Sequence, residues 1–188
     1  MTPPLVREAR ALSAALGFRY SSTDDVGRLL AALVARVDEG VIAEIGTGCG
    51  VGTAWMASAL RPGVRLVTVE IDEQRARLVR DVFKALPTVS VLQGDWRAIA
   101  AAAPFALLFG DGGGCKDEDL HHLLSPGASI IFDDFTDPED WPEELRRSGD
   151  PRRERWLSDA RYASTIVGVG RDKFEAQTRA QAVIATRR

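Results

Sequence analysis

The sequence predicts an α/β fold, doubly wound around a mostly parallel sheet that closes in an antiparallel hairpin. Three observations predict it. Short apolar runs alternate with amphipathic stretches of helical period, a glycine-rich turn follows the first run, and the last two runs lie too close together for a crossover helix.

Taken in order, residues 5–16 are rich in alanine and leucine and stop at Gly17, which reads as a helix with a glycine terminator. Ser22 or Thr23 can cap a second helix, with Val26, Leu29, Leu30, Leu33 and Val37 on one face. The first strand is 41–45, and its helix, 53–60, closes at Pro62-Gly63. The second strand is 65–70. Asp72 caps the next helix, whose Val79, Val82, Phe83 and Leu86 recur at helical spacing before Pro87 stops it. The third strand, 89–92, delivers Gly94-Asp95-Trp96, and the fourth, 105–109, delivers Asp111. A helix carrying His121 and His122 is expected next. The fifth strand, 129–132, follows the turn Ser125-Pro126-Gly127 and delivers Asp133-Asp134. Residues 136–161 are polar. The runs 162–169 and 180–186 are then two strands, and their short connector makes them antiparallel.

At 188 residues the chain can bury a full core, and 45% hydrophobic with 27% charged residues is ordinary for a soluble globular protein. A net charge of −3 supplies no basic field to gather nucleic acid. Cys49 and Cys115 form no disulfide framework, which fits a reducing cytoplasm. No apolar stretch is long enough to span a bilayer. Basic residues are overwhelmingly arginine, with lysine only at 84, 116 and 173, and this reads as a coding bias.

The chemistry concentrates in Glu44-Ile45-Gly46-Thr47-Gly48-Cys49-Gly50-Val51-Gly52 and in Glu70-Ile71-Asp72. Glycines between a strand and a helix let backbone approach a ligand where a Cβ would block it. Glu70, at the carboxyl end of the second strand, can accept both hydroxyl protons of a ribose. The pair points to a nucleoside cofactor. A nicotinamide dinucleotide wants glycines at relative positions 1, 3 and 6, and here the sixth position is Val51 or Thr53. Glu44 would repel a pyrophosphate but suits a ligand carrying an ammonium and a sulfonium.

These residues resemble motif I of the class I S-adenosylmethionine-dependent methyltransferases. The whole chain is similar to the small catechol and caffeoyl-coenzyme A type O-methyltransferases. The resemblance implies a Rossmann-like seven-stranded sheet in a single domain, 1–188. Helices at 1–38 precede a cofactor-binding core, 39–134, an acceptor lid, 135–161, and a C-terminal hairpin, 162–188. Carried over by position, Glu44, Gly46, Thr47, Gly48 and Gly50 would line the methionine part of S-adenosylmethionine. Glu70 would hold the ribose, and Ile71 would pack on the adenine. Gly94, Asp95 and Trp96 fall where the family contacts that ring, although Trp96 also suits ordinary core packing. The family holds a divalent cation such as Mg²⁺ with an acid after strand four and an Asp-Asn pair after strand five. Asp111 and Asp133 match, and Asp134 departs from asparagine. A homodimer and a small hydroxylated acceptor are the partners that the resemblance brings into view.

A lysine three residues after the first metal acid is the family's general base. Here Gly114 stands in its place, and Lys116 lies two residues further, beyond Gly112-Gly113-Gly114. Either Lys116 reaches the site, joining Asp111 as a catalytic residue, or it is solvated. The alternatives to an O-methyltransferase are a cofactor-binding domain without turnover and a methyltransferase of another acceptor class. Gly110-Asp111-Gly112 lacks the Pro-Pro-aromatic motif of base-modifying enzymes. The arginines at 146, 147, 152, 153 and 155 read as a solvated helix face balanced by nearby acids, or as part of the acceptor lid.

Overall fold

A computed structural model describes residues 1–112 and 114–188. Seven strands form one sheet: β1 (Val41–Ile45), β2 (Arg65–Glu70), β3 (Val89–Gln93), β4 (Phe105–Gly110), β5 (Leu124–Thr136), β6 (Tyr162–Arg171) and β7 (Arg179–Arg187). Their order is β3-β2-β1-β4-β5-β7-β6, parallel through β5 and antiparallel for the last two. The expected sheet and its closing hairpin are both present.

Helices α1 (Pro4–Ala15), α2 (Asp24–Val34), α3 (Val51–Ala57) and α4 (Glu73–Phe83) cover one face. Thr23 caps α2 by accepting a 3.3 Å bond from Val26 N, and Asp72 caps α4 by accepting a 2.7 Å bond from Arg75 N. Because side chains alternate across a strand, Ile42, Leu66, Leu107, Phe109 and Ile131 meet Leu30, Val34 and Met56 on this face. Val41, Ala43, Ile45, Val67, Val69, Leu108, Ile130 and Phe132 point the other way. They pack on Ile99, Leu120, Leu123 and Trp156. Burying both faces explains why the central strands read as continuous apolar runs.

Several expectations are corrected. Among the described residues, no α-helix joins β4 to β5: His121 and His122 sit in a one-turn 3₁₀ segment, His121–Leu123, and a second such turn spans Cys115–Asp117. Asp119 accepts a 3.1 Å bond from His121 N, so the apolar run from Leu120 is turned locally before a helix can nucleate. Strand β5 starts at Leu124, ahead of the Ser-Pro-Gly expected as a turn, because Leu124 pairs with Phe105 across a register shift. Helix α3 starts at Val51, since Gly50 takes a left-handed conformation that opens it. The polar stretch after β5 contains two short helices, α5 (Glu143–Ser148) and α6 (Pro151–Ser158). Trp156 of α6 is buried against Phe132 and Tyr162, at ring distances of 4.6 and 5.5 Å, and its indole donates to Lys116 O at 2.9 Å.

Candidate active site

Strand β1 lies between β2 and β4, so the chain leaves its carboxyl end toward opposite sides and opens a crevice there. Register brings the parts level. Ile45 pairs with Val69 and Gly110, which sets the loop at 46, the acid at 70 and the acid at 111 on one edge. The cleft there spans about 800 Å³ when the open solvent at its mouth is included. Glu44, Gly46, Thr47, Gly48, Glu70, Ile71, Gly94, Asp95, Trp96 and Asp111 all line it. Gly50 does not. A Cβ there would stand 3.0 Å from Phe83 and 3.1 Å from Val79, so this glycine serves the packing of the loop against α4. Gly46 is needed for a different approach. With φ of +94° it brings the β1 loop against the backbone of Asp111 and Gly112, which a Cβ would meet at 3.1 Å.

Glu44 is buried beneath the cleft. Its Oε2 accepts from the hydroxyls of Thr53 and Thr68, the latter at 2.6 Å, and Thr47 Oγ1 stands 2.6 Å from Thr68 Oγ1. With Thr68 donating to the carboxylate, Thr47 must donate to Thr68. Burial outweighs these bonds and pushes the Glu44 carboxyl up to about 7. Glu70 is buried too and already well occupied. It accepts from Gly48 N at 2.8 Å, Asp72 N at 2.9 Å and Arg75 Nη2 at 2.8 Å. Ile71 is exposed at the cleft wall. Trp96 is half-buried against the core, with Arg97 stacked 4.6 Å over its ring and its indole N–H unpartnered. It therefore lines the cleft and packs on the core at once. Asp95 lines the cleft and accepts 2.9 Å from Arg97 N, a bond that holds its carboxyl below the usual range.

Asp111, Asp133 and Asp134 converge, with one carboxylate oxygen of each within 4.8 Å of the others. A β-bulge makes this possible. The β5–β7 register shifts between Phe132 and Phe135, and Asp134 takes a φ of 60°, the one non-glycine positive φ among the described residues. In a regular strand these neighbours would point to opposite faces. Burial and mutual repulsion raise the carboxyls of both Asp111 and Asp133. Asp133 Oδ1 is buried without a hydrogen-bond partner. An orphaned buried oxygen within an all-oxygen donor set fits a hard divalent cation.

Lys116 does reach this cluster. Its Nζ donates to Asp133 O at 2.6 Å and stands 3.9 Å from both Asp133 Oδ1 and Asp134 Oδ2. The 3₁₀ turn at Cys115–Asp117 carries it inward; Gly113, part of the glycine run before it, lies outside the described residues. The arginines after β5 are mostly exposed and paired, as Arg147 with Glu143 and Arg152 with Asp117.

Sequence reasoning missed several contributors. Phe18, Tyr20 and Ser22, from the segment between α1 and α2, line the cleft, and Lys173 stands 3.0 Å from Asp134. No motif marks the first three. The scarcity of lysine was a signal for the last, because two of the three lysines flank the acid cluster.

Residues 43–135 match the family described as methyltransferase domain. A Mycobacterium sp. (strain KMS) protein provisionally named an O-methyltransferase is 31% identical over 133 residues, covering 68% of this chain and 53% of that one. A Mycolicibacterium smegmatis protein with a similar provisional name is 28% identical, covering 68% and 55%. This chain thus spans about half the length of the curated relatives it matches. Among solved structures, the O-methyltransferase from Bacillus cereus in complex with SAH has a TM-score of 0.80 at 21% identity, covering 100% of this chain and 92% of that one. TomG from Streptomyces achromogenes, an O-methyltransferase of tomaymycin synthesis solved with SAM, has a TM-score of 0.77 at 19% identity, covering 100% and 91%. At such identities the likeness concerns the fold.

Proposed function

We propose that the chain is a class I S-adenosylmethionine-dependent O-methyltransferase that methylates a hydroxyl of a small phenolic molecule, a reading supported by the methyltransferase-domain match and the similar mycobacterial proteins. One observation carries the reading. Asp111 and Gly112 line two cavities at once: the cleft over the glycine loop, and a neighbouring space that also holds Lys116 and Arg152. A methyl donor in the first and an acceptor in the second would meet at Asp111.

Glu44 and the backbone at Gly46, Thr47 and Gly48 would hold the methionine end of the donor, and Glu70 its ribose. Ile71, Gly94, Asp95 and Trp96 would form the adenine pocket, where an apolar side chain and an indole offer stacking surface. S-adenosylmethionine supplies a methyl carbon activated on a sulfonium. Asp111, Asp133 and Asp134 would hold a cation such as Mg²⁺, which would lower the pKa of an acceptor hydroxyl. Lys116, held by the carbonyl of Asp133, would serve as general base, its amine taking the hydroxyl proton when unprotonated. Transfer is then an in-line displacement in which holding the two reactants in line does much of the work.

The test is direct. Calorimetry should show S-adenosylmethionine binding, and mass spectrometry with a panel of catechols and phenols should show methyl ethers formed. Binding without any product would leave a cofactor-binding domain. Tight binding of NAD in place of S-adenosylmethionine would reject the reading outright.

A further inference from the structure

Three carboxylates in one place need positive charge nearby, and this chain brings its own. Among the described residues, the ion pairs made by Asp133 and Asp134 go only to Lys116 and Lys173. The two lysines do different things. Lys116 spends its short contact on a backbone oxygen, 2.6 Å from Asp133 O, and keeps 3.9 Å from the carboxylates. Lys173 makes the close pair: its Nζ lies 3.0 Å from Asp134 Oδ1, and only 11% of its side chain is exposed.

The local structure presents Lys173 for this task. It sits on the connection between β6 and β7, where Asp172 Oδ1 accepts bonds from Phe174 N at 2.7 Å and Glu175 N at 2.9 Å. The next residue, Phe174, packs edge-on against Tyr20 at 5.4 Å, and Tyr20 lines the cleft. The turn is thus held by its neighbours on both sides of the lysine. Asp134 is turned to meet it by its left-handed backbone in the bulge of β5. Asp133 Oδ1 meanwhile has no hydrogen-bond partner, so two ammonium groups face three carboxylates while one buried carboxylate oxygen stays unpartnered.

We infer that Lys173 is the resident cation of the acid cluster: its ammonium occupies the charge position of a divalent ion, and an ion enters only by displacing it. An ion held by these carboxylates would sit about 2.0–2.6 Å from their oxygens. Lys173, at hydrogen-bond distance from the same Asp134, would then face a dication across one carboxylate. The two charges compete for Asp134, and removing the lysine should favour the metal. The inference concerns ion binding alone and does not depend on methyl transfer; its failure would leave donor binding in the cleft untouched.

The experiment is a calorimetric titration of MnCl₂ into the chelator-stripped full chain, comparing wild type, Lys173→Met and Lys173→Arg. Lys173→Met should bind Mn²⁺ at least about tenfold tighter than wild type, while Lys173→Arg, which keeps the charge, should stay close to wild type. Equal affinity in wild type and Lys173→Met overturns the inference, as does heat from neither, or tighter binding in both variants. Should Lys173→Met fail to fold, wild type with ¹⁵N-labelled lysines carries only Lys84, Lys116 and Lys173 to assign. Mg²⁺ should shift the Lys173 side-chain signal and leave Lys84 in place. A Lys173 signal unmoved across the titration overturns the inference equally.

Discussion

Glu70 Oε2 accepts a 2.8 Å hydrogen bond from Gly48 N, which ties the end of β2 to the glycine loop that follows β1. The same carboxylate accepts from Asp72 N and from Arg75, whose guanidinium lies 5.3 Å over the Phe18 ring. One acid therefore organises the loop, the start of α4 and one wall of the cleft, and within the chain its role is scaffolding.

Glu70→Ala should accordingly destabilise the chain as well as weaken donor binding. Removing one partner of a buried ion pair leaves Arg75 and two backbone N–H groups without their acceptor, a loss on the order of 3 kcal/mol. Urea denaturation should show the loss. An unchanged midpoint would mean that water replaces the carboxylate at no cost.

Glu44 should impose a pH dependence on stability. Its carboxyl is raised from 4.5 to about 7 by burial, so between those values the folded chain keeps a proton that the unfolded chain has released. Stability from this group is complete below about pH 4.5 and is lost as pH climbs through about 7, by roughly 3 kcal/mol in all. Glu44→Gln keeps an acceptor for Thr53 and Thr68 without the titration. Its stability relative to wild type should rise between pH 5 and pH 8, measured by denaturant melts at each pH.

Gly27→Ala tests the α2–α3 contact. Alanine favours a helix over glycine by about 1 kcal/mol. A Cβ at position 27, however, would stand 2.2 Å from Cδ1 and Nε1 of Trp55, a rigid and buried ring. Overpacking of this kind costs roughly 1–3 kcal/mol, so the clash should win. The melting temperature should fall by a few degrees, and a rise would show that Trp55 can move aside at little cost.

Lys116→Met should lower kcat by about 10²–10⁴-fold if Nζ takes the acceptor proton. KM for the donor should change little, because Lys116 does not line the donor cleft. A rate within a few-fold of wild type across the pH range would remove it from proton transfer.

Much of the molecule was legible before any coordinates. Apolar runs at 41–45, 65–70 and 105–109 had to be buried strands, Thr23 and Asp72 had the chemistry of caps, and Glu44 with the alternating glycines marked the cleft. These features are local: periodicity, capping and turn preference act over a few residues, so one stretch of chain declares them. The helix expected at His121 and His122 was misread because five residues can satisfy a helical pattern without nucleating one. Gly50 does not line the cleft, and a glycine needed for packing on Phe83 looks, in sequence, like one needed for a ligand.

The acid cluster lay beyond local reading. Consecutive aspartates in a strand should diverge, and only the bulge at Phe132–Phe135 with the left-handed Asp134 turns both toward Asp111. Lys173, separated by 39 residues from the carboxylate it meets, is brought there by the antiparallel pairing of β6 and β7 beside β5. The sequence by itself determined the strands, the caps and the chemical groups available, because those follow from neighbours along the chain. The tertiary structure alone decided which charges share a site, because that depends on register, and register is set by the pairing of the whole sheet.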